Sequence, residues 1–262
     1  MSQALPAQLF FTYESFVGCD HWLCTWGVCV GSAVLYLLLV YAVWPRTRPS
    51  GAAAAASMKT LRKWHNVALF FFSAACSLAM LYHVIAINGL ADFHALACAP
   101  VPRWVFVLQI VFTLSKLYEW FDTYFLVALS RPADFLHVYH HATTFWLFLH
   151  VTNFPSTLRL GVLLNGGVHT LMYAHYAWPF PKRIVPLITA SQIAQLVYVT
   201  YVWSITPREC PAFATFPERW PLEFATPYAF VPVYTLFFVK YFAQRWVSRT
   251  HHKAGAARQK GA

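Results

Sequence analysis

Charged residues are scarce in this sequence. Only 11% of its 262 residues are charged, and nine of them are acidic, whereas 59% are hydrophobic. The mean hydropathy is +0.49. Soluble globular domains normally carry about 25% charged residues, so the composition excludes that class. It predicts a protein that crosses a membrane several times.

Cysteine pairs of the metal-binding type are also missing. None of the six cysteines forms a Cys-x-x-Cys motif, which excludes the common thiolate zinc sites. The first 23 residues contain no Lys or Arg, unlike the basic start of a cleavable signal peptide, so we expect the first apolar run to act as its own signal. Internal repeats are absent too, and we expect a single domain over residues 1–262, with a helical core at 23–250 and a cytosolic basic tail at 251–262.

Seven apolar runs have roughly the 17 to 25 residues that span a bilayer, although the fourth is short. They are 24–43, 66–88, 104–129, 138–152, 158–178, 184–206 and 227–247. The sequence therefore predicts an all-α membrane protein with seven transmembrane helices. The Ala-rich segment 46–59 is interpreted as a linker between the first two.

The formal net charge of +10 could indicate a nucleic-acid partner, but the basic residues follow membrane topology. They concentrate in alternate connections and in the tail: Arg46, Arg48, Lys59, Arg62, Lys63, Arg131, Lys182, Arg183, Arg245, Arg249, Lys253, Arg258 and Lys260. The positive-inside rule then predicts a lumenal or external N-terminus and a cytosolic C-terminus. Nucleic acid is not the expected partner. The final "RQKGA" resembles a retrieval signal of the endoplasmic reticulum, or is an ordinary basic tail.

Polar residues inside the runs fall on helical stripes. Ionisable groups in a span usually face a bundle interior or a cavity. At helical spacing, the stripes comprise Lys116, Glu119 and Asp122; His137, His140 and His141; Asn165, His169, Met172, Tyr173 and Tyr176; and Thr189, Gln192 and Gln195. Measured from the cytosolic end of each run at the helical rise, one residue of each stripe lies roughly 10 to 14 Å deep, namely Asp122, His140, His169 and Gln192. We therefore predict one polar site that opens toward the cytosol.

Structural interpretations of these stripes remain open. Lys116 and Glu119 could form an ion-pair ladder, and a Gln-x-x-Gln pair such as Gln192 and Gln195 often only joins helices. Met172 and Tyr173 are interpreted as pocket walls. Three clustered histidines are harder to explain as packing.

The histidine cluster "HVYHH" allows two kinds of chemistry. A di-iron centre of the desaturase type needs several histidine boxes, and this chain has one. A single three-histidine zinc site is not excluded by counting, but His137, His140 and His141 on consecutive turns of one helix are poorly arranged to converge on one ion. The alternative is a neutral imidazole that attacks an acyl group or moves protons. We expect no metal.

Four blocks, "KLYEWFDT", "HVYHH", "NGGVHTLMYAHY" and "TASQIAQ", resemble in order and spacing the signature blocks of the ELO family of very-long-chain fatty acid elongases. They cover Lys116 to Gln195. One departure is that His175 precedes Tyr176, where the family commonly has two aromatic residues. This departure bears on the pocket shape more than on the reaction.

The resemblance implies a 3-oxoacyl-CoA synthase of the endoplasmic reticulum that condenses a fatty acyl-CoA with malonyl-CoA, without a cofactor. It implies a barrel of six helices around an acyl tunnel. The expected partners are both thioesters, membrane lipid, the reductase and dehydratase of the elongation cycle, and a second copy of the chain.

The resemblance also implies roles for individual residues. His140 would be the nucleophile, His169 would contact the malonyl unit, and His137 and His141 would orient groups and handle protons. Asp122 could hold an imidazole tautomer, while Gln192 and Asn165 could stabilise an oxyanion. The competing classes are a metal-dependent lipid oxidase or desaturase and a non-enzymatic receptor or transporter.

Two further predictions concern the connections. CoA phosphates cannot enter hydrocarbon, so Arg131, Lys182 and Arg183 are candidates for binding them. Cys98 and Cys210 both fall in non-cytosolic connections, where they form a disulfide or remain two unpaired thiols.

Overall fold

The computed structural model describes residues 22–210 and 221–247, and its regular structure there is helical. The elements are α1 (Trp22–Leu38), continued by a π-helical turn (Leu39–Val43), α2 (Ala52–Ala86), α3 (Phe93–Cys98), α4 (Arg103–Tyr118), α5 (Trp120–Ala128), α6 (Phe135–Val151), α7 (Pro155–Ala177), α8 (Val185–Glu209) and α9 (Pro221–Phe242), which ends in a second π-helical turn (Ala243–Val247). The all-α prediction is confirmed for these residues, and the basic tail lies outside them.

Each predicted apolar run coincides with helical structure, but two boundaries differ. The prediction of a linker over 46–59 is wrong from Ala52 onward, because α2 begins at that residue. The helix starts early because alanine has the highest helix propensity and five alanines follow one another here. The third run is divided at Glu119, where α4 ends and α5 begins.

Within the described residues, four stretches are long and apolar enough to cross a membrane: Trp26–Val43, Ala52–Ala86, Val185–Glu209 and Leu222–Trp246. The protein is therefore a helical membrane protein.

The start of α6 fixes the position of the histidine cluster. Asp134 precedes the helix with extended backbone, and its Oδ1 accepts a hydrogen bond from the backbone N–H of His137 at 2.8 Å. Asp is a preferred residue at this capping position because its side chain satisfies a free N–H of the first turn. The cap therefore sets His137, His140 and His141 in the first two turns of α6.

Helices α2 and α7 approach each other closely through small residues. A Cβ on Gly166 would lie 3.1 Å from Ser77 Cβ and 3.2 Å from the Ser73 carbonyl oxygen. Ser77 Oγ also donates a hydrogen bond to the Leu163 carbonyl oxygen at 2.9 Å. Small residues and a polar bridge are typical of helix pairs packed inside membranes. This contact holds the inner face of α7 in place.

The helices form a closed sequence of neighbours. α6 packs on α9, α9 on α8, α8 on α7 and α7 on α2, while α2 contacts α4 and α5, which return to α6. α1 packs on α6 from outside this sequence, with Tyr36 fully buried against Trp120 and Val138. The polar stripes of α6, α7 and α8 are thereby brought together.

Candidate functional site

A polar cavity of about 300 Å³ lies between α6, α7, α8 and α9; we call it the chamber. Its wall includes most of the predicted site: His137, His140, His141, Asn165, His169, Met172, Tyr173, Tyr176, Thr189, Gln192 and Gln195. Helix α9 adds Tyr234, Phe238, Tyr241 and Arg245. The contribution of α9 was not predicted, because its apolar sequence shows no polar stripe.

Hydroxyl groups of α5 and α1 hold His137 in place. Its Nε2 lies 2.8 Å from Thr123 Oγ1, and Thr123 Oγ1 lies 2.7 Å from the Tyr36 hydroxyl. The ring of His141, which is buried, lies 4.4 Å from the ring of His137 and stacks on Tyr36 at 6.3 Å. These two imidazoles are thus held against α1 and α5.

His140 faces the opposite side of the cluster. It is half-buried, and its ring lies 5.1 Å from Tyr234 and 5.5 Å from His141. The Tyr234 hydroxyl lies 2.7 Å from Thr143 Oγ1, one turn along α6. His140 is therefore packed between α6 and α9 with its ring on the chamber wall.

Lys116 and Glu119 lie behind the chamber wall, in a buried polar network. Lys116 Nζ donates to Glu119 Oε1 at 2.7 Å and to Asn165 Oδ1 at 2.9 Å, and it lies 4.2 Å from the centre of the Phe112 ring. His169 Nδ1 lies 3.7 Å from Glu119 Oε1. The network connects a buried ion pair to Asn165 and His169, which do line the chamber.

Asp122 contacts an imidazole that sequence reasoning missed. Its Oδ1 lies 2.9 Å from His65 Nε2, on α2, and its Oδ2 accepts a hydrogen bond from the Tyr173 hydroxyl at 2.7 Å. Its hydrogen-bond partner is therefore not an imidazole of the histidine cluster. His65 could not be found from a stripe because it stands alone beside Asn66 near the start of the second apolar run.

A second, apolar cavity of about 100 Å³ adjoins the chamber. The two share walls made by Leu147, Phe148, Asn165, Gln195 and Leu196. Along α8 the lining then passes through Val199 and Val202 to Trp203. The indole Nε1 of Trp203 donates to the Phe224 carbonyl oxygen at 3.3 Å. We call this cavity the apolar tunnel, and Trp203 is the last residue of α8 on its lining.

The basic candidates are distributed differently from the prediction. Arg131, Lys182 and Arg183 do not appear on the chamber wall, and all three are exposed. Arg245 lines the chamber, with its guanidinium 5.8 Å from the Tyr241 ring and 5.6 Å from the Trp246 ring. The basic side chain at the chamber is thus Arg245, which had been assigned only to topology.

Two other features of the sequence have defined positions. His175, where the family pattern has an aromatic residue, lines the chamber and accepts a hydrogen bond from the Phe180 backbone N–H at 2.9 Å. Among residues 22–210 and 221–247, no group of three His, Cys, Asp or Glu is arranged to hold a metal ion.

Cys98 and Cys210 lie side by side, far along the chain from each other. The Cys98 thiol interacts with the Cys210 thiol and lies 3.7 Å from the Glu209 carbonyl oxygen. Burial, with the neighbouring thiol, raises the pKa of Cys98 to about 12. Both are free thiols in this structure, so the disulfide stays a prediction.

Fold and site together define a helical membrane protein with a histidine-lined chamber and an apolar tunnel that adjoins it. The GNS1/SUR4 family (ELO) matches residues 21–254, and the chain belongs to this family of fatty acid elongases.

Three relatives illustrate the similarity. Fatty acid elongase 5 of Trypanosoma cruzi is 30% identical over 193 residues, covering 70% of this chain and 72% of the relative. Very long chain fatty acid elongase 3 of Mus musculus is 27% identical over 209 residues, covering 70% and 71%. Very long chain fatty acid elongase 6 of Drosophila melanogaster is 32% identical over 148 residues, covering 51% and 45%. The expected family is thus confirmed.

Proposed function

We propose that this protein is the condensing acyltransferase of fatty acid elongation, a 3-oxoacyl-CoA synthase. It would convert a fatty acyl-CoA and malonyl-CoA to a 3-oxoacyl-CoA, CO2 and CoA. The observation that carries the proposal is that the histidine-lined chamber and the apolar tunnel lie side by side and share lining residues. An acyl thioester has the same division, a polar reactive end and an apolar chain, and binding sites combine apolar walls with a few placed polar groups.

His140 is the proposed nucleophile. All three histidines line the chamber, but His137 is tied to Thr123 and His141 is buried against Tyr36, whereas the half-buried His140 packs against Tyr234. Its unprotonated ring nitrogen attacks the thioester carbonyl, the C–S bond breaks, and the CoA thiolate leaves. The N–H proton of the imidazole passes to that thiolate, which gives an acyl-imidazole and CoA.

Malonyl-CoA then enters the emptied chamber. Its carboxylate leaves as CO2, and the electron pair of that C–C bond attacks the acyl carbonyl. The C–N bond to His140 breaks, so the new C–C bond yields the 3-oxoacyl-CoA. His169, which shares the wall, is placed to contact the malonyl unit, and amide donors such as Asn165 and Gln192 suit developing oxyanion charge.

The chamber also suggests how CoA is held. Arg245 lines the chamber with its guanidinium close to the Tyr241 and Trp246 rings, and guanidinium groups bind phosphate in a bidentate manner. We assign this end of the chamber to the cytosolic side, because the positive-inside rule places the start of α6 and the end of α9 there. The closed sequence of helix neighbours supports the six-helix barrel, with α1 as a seventh span.

Endoplasmic reticulum membrane is the proposed location, with a lumenal N-terminus and a cytosolic C-terminus. The reductase and dehydratase of the cycle are proposed partners, because the 3-oxoacyl product requires reduction and dehydration before another elongation. Homodimer formation is part of the same proposal, as is the absence of a cofactor.

The test is condensation by the purified protein with labelled malonyl-CoA and an acyl-CoA. The parental protein should form labelled 3-oxoacyl-CoA, His140→Ala should form essentially none, and His94→Ala, at an exposed position on α3, should match the parent. A chelator should leave the rate unchanged. Absence of product from the folded parent contradicts the proposal and favours a receptor or transporter. Loss of activity with chelator indicates a metal enzyme.

A further inference from the structure

The proposed reaction needs one external proton, and only in its second half. During acylation, the imidazole proton of His140 goes to the departing CoA thiolate. During condensation, malonyl-CoA arrives as a carboxylate and loses neutral CO2, while the C–N electron pair remains on His140 as an imidazolate. One proton per turnover must therefore reach the chamber after acylation.

A hydrogen-bonded line of three side chains runs from the chamber wall to α2. Tyr173, fully buried and on the wall, donates to Asp122 Oδ2 at 2.7 Å, and His65 Nε2 lies 2.9 Å from Asp122 Oδ1. Asp122 and His65 are not on the wall themselves. The line thus connects the chamber with groups behind it, on α5 and α2.

Exposure gives this line an entry point. The Asp122 side chain is 12% exposed, compared with 4% for His65, and Tyr173 is fully buried. Asp122 is therefore the most exposed member of the line. His65 fixes the carboxylate from the other side, and its ring is enclosed by Tyr118 at 5.1 Å and Phe125 at 5.3 Å.

We propose that Tyr173 supplies the condensation proton and that Asp122 reprotonates it, with His65 as the positioning residue that holds Asp122. This inference rests on the proposed function. The Tyr173 O–H bond breaks as its proton passes to the His140 imidazolate, the Asp122 carboxylate takes up one proton from solvent, and this proton then passes from Asp122 to the Tyr173 phenolate. No electrons are transferred between groups. The ring of His169, 5.6 Å from that of Tyr173, lies on the same wall.

Several other ionisable groups interact electrostatically with Asp122. Glu119 is on the adjoining turn, Tyr36 comes from α1, His137 from α6, and Tyr176 from α7. Within the described part of the chain, the hydrogen bonds to the Asp122 side chain come from Tyr173 and His65. A pH profile alone would mix all these groups, so the test must separate the two half-reactions.

The experiment compares His65→Gln, Asp122→Asn and Tyr173→Phe with the parent and with His83→Gln, a buried histidine farther along α2. Acyl-enzyme formed from acyl-CoA alone is measured by mass spectrometry, and its decay is followed after malonyl-CoA is added. The three variants should acylate like the parent but condense on the order of 100-fold more slowly, the usual contribution of a general acid. Acyl-enzyme should then accumulate during turnover, and His83→Gln should behave like the parent.

Each other outcome is decisive. Parental condensation in the variants, or an equal loss in both half-reactions for all three, overturns the proton path while leaving the proposed function intact. A parent that makes labelled 3-oxoacyl-CoA without any acyl-enzyme also overturns it, because the separate proton-requiring step is then absent. A folded parent that makes no product overturns the proposed function, and this inference falls with it.

Discussion

Lys116 Nζ lies 2.7 Å from Glu119 Oε1, and the two side chains are only 1% and 3% exposed. Both charges have been removed from water, so each depends on the other, and Lys116 also donates to Asn165 Oδ1 at 2.9 Å. This pair spans the point where α4 ends and α5 begins. The ion pair therefore fixes the orientation of α5, and with it the position of Asp122 next to Tyr173.

Breaking this pair should be costly. We expect Lys116→Met or Glu119→Gln to lower the free energy of unfolding by about 3 to 5 kcal/mol, because either change leaves an uncompensated buried charge. The double variant should lose less than the sum of the single losses. Unfolding in detergent micelles checks this, and strictly additive losses would show that the two charges do not depend on each other.

Gly166 should tolerate no side chain. Its Cβ would come within 3.1 Å of Ser77 Cβ and 3.2 Å of a backbone oxygen, so Gly166→Ala should force α2 and α7 apart and cost about 1 to 3 kcal/mol. Gly167 is the matched control, since its nearest contact would be 3.5 Å. Thermal unfolding of both variants checks the difference, and equal midpoints would contradict the close approach.

Trp203 should limit acyl length. It is 5% exposed, packs edge-on against Phe154 at 5.1 Å, and is the last residue of α8 on the lining of the apolar tunnel. Trp203→Ala should lengthen the products by one or more two-carbon units, with Trp203→Phe intermediate. Tyr201→Ala, at a position that is 57% exposed, should leave the distribution unchanged. Gas chromatography of the products decides, and an unchanged distribution for Trp203→Ala would contradict the role.

Arg245 should bind CoA. We expect Arg245→Gln to raise KM for acyl-CoA about tenfold, the loss of one charged hydrogen bond, and to weaken the salt dependence of KM. Lys182→Gln and Arg183→Gln should change KM little, since neither residue lines the chamber. Steady-state kinetics at two salt concentrations distinguish the three residues. A larger increase in KM for Lys182→Gln or Arg183→Gln than for Arg245→Gln would support the sequence-based prediction that these two residues bind the CoA phosphates.

The adjacent thiols of Cys98 and Cys210 should be joined in protein isolated from the membrane. A peptide map under non-reducing conditions should contain the linked pair. In reduced, folded protein, the raised pKa of Cys98 should make its alkylation slow at neutral pH, because the thiolate is the reactive form. A map with only unlinked peptides would favour the two unpaired thiols.

Much of the fold could be predicted from sequence. Hydropathy located each apolar run, since a bilayer demands both length and apolar surface. It did not reveal that Ala52 already starts α2 or that Glu119 interrupts the third run. Such details depend on helix propensity and local hydrogen bonding, which hydropathy does not measure.

The site was predictable only as far as helical spacing allows. Spacing shows that His137, His140 and His141 share a face, but it cannot show which neighbouring helix meets that face. Asp122 was therefore assigned to the chamber histidines, although its carboxylate contacts His65 on α2. Arg245 was missed for the same reason: a terminal arginine on an apolar helix gives no sign that the helix lines a cavity.

The boundary between chamber and tunnel is marked by two amides, Asn165 and Gln195, on facing helices. If the thioester carbon of the substrate lies beside these amides, the distance from them to Trp203 limits the length of the acyl chain. Each elongation lengthens the part of the chain that lies in the tunnel. A product whose chain already reaches Trp203 can no longer bring its own thioester to the amides, so elongation would end without any separate signal.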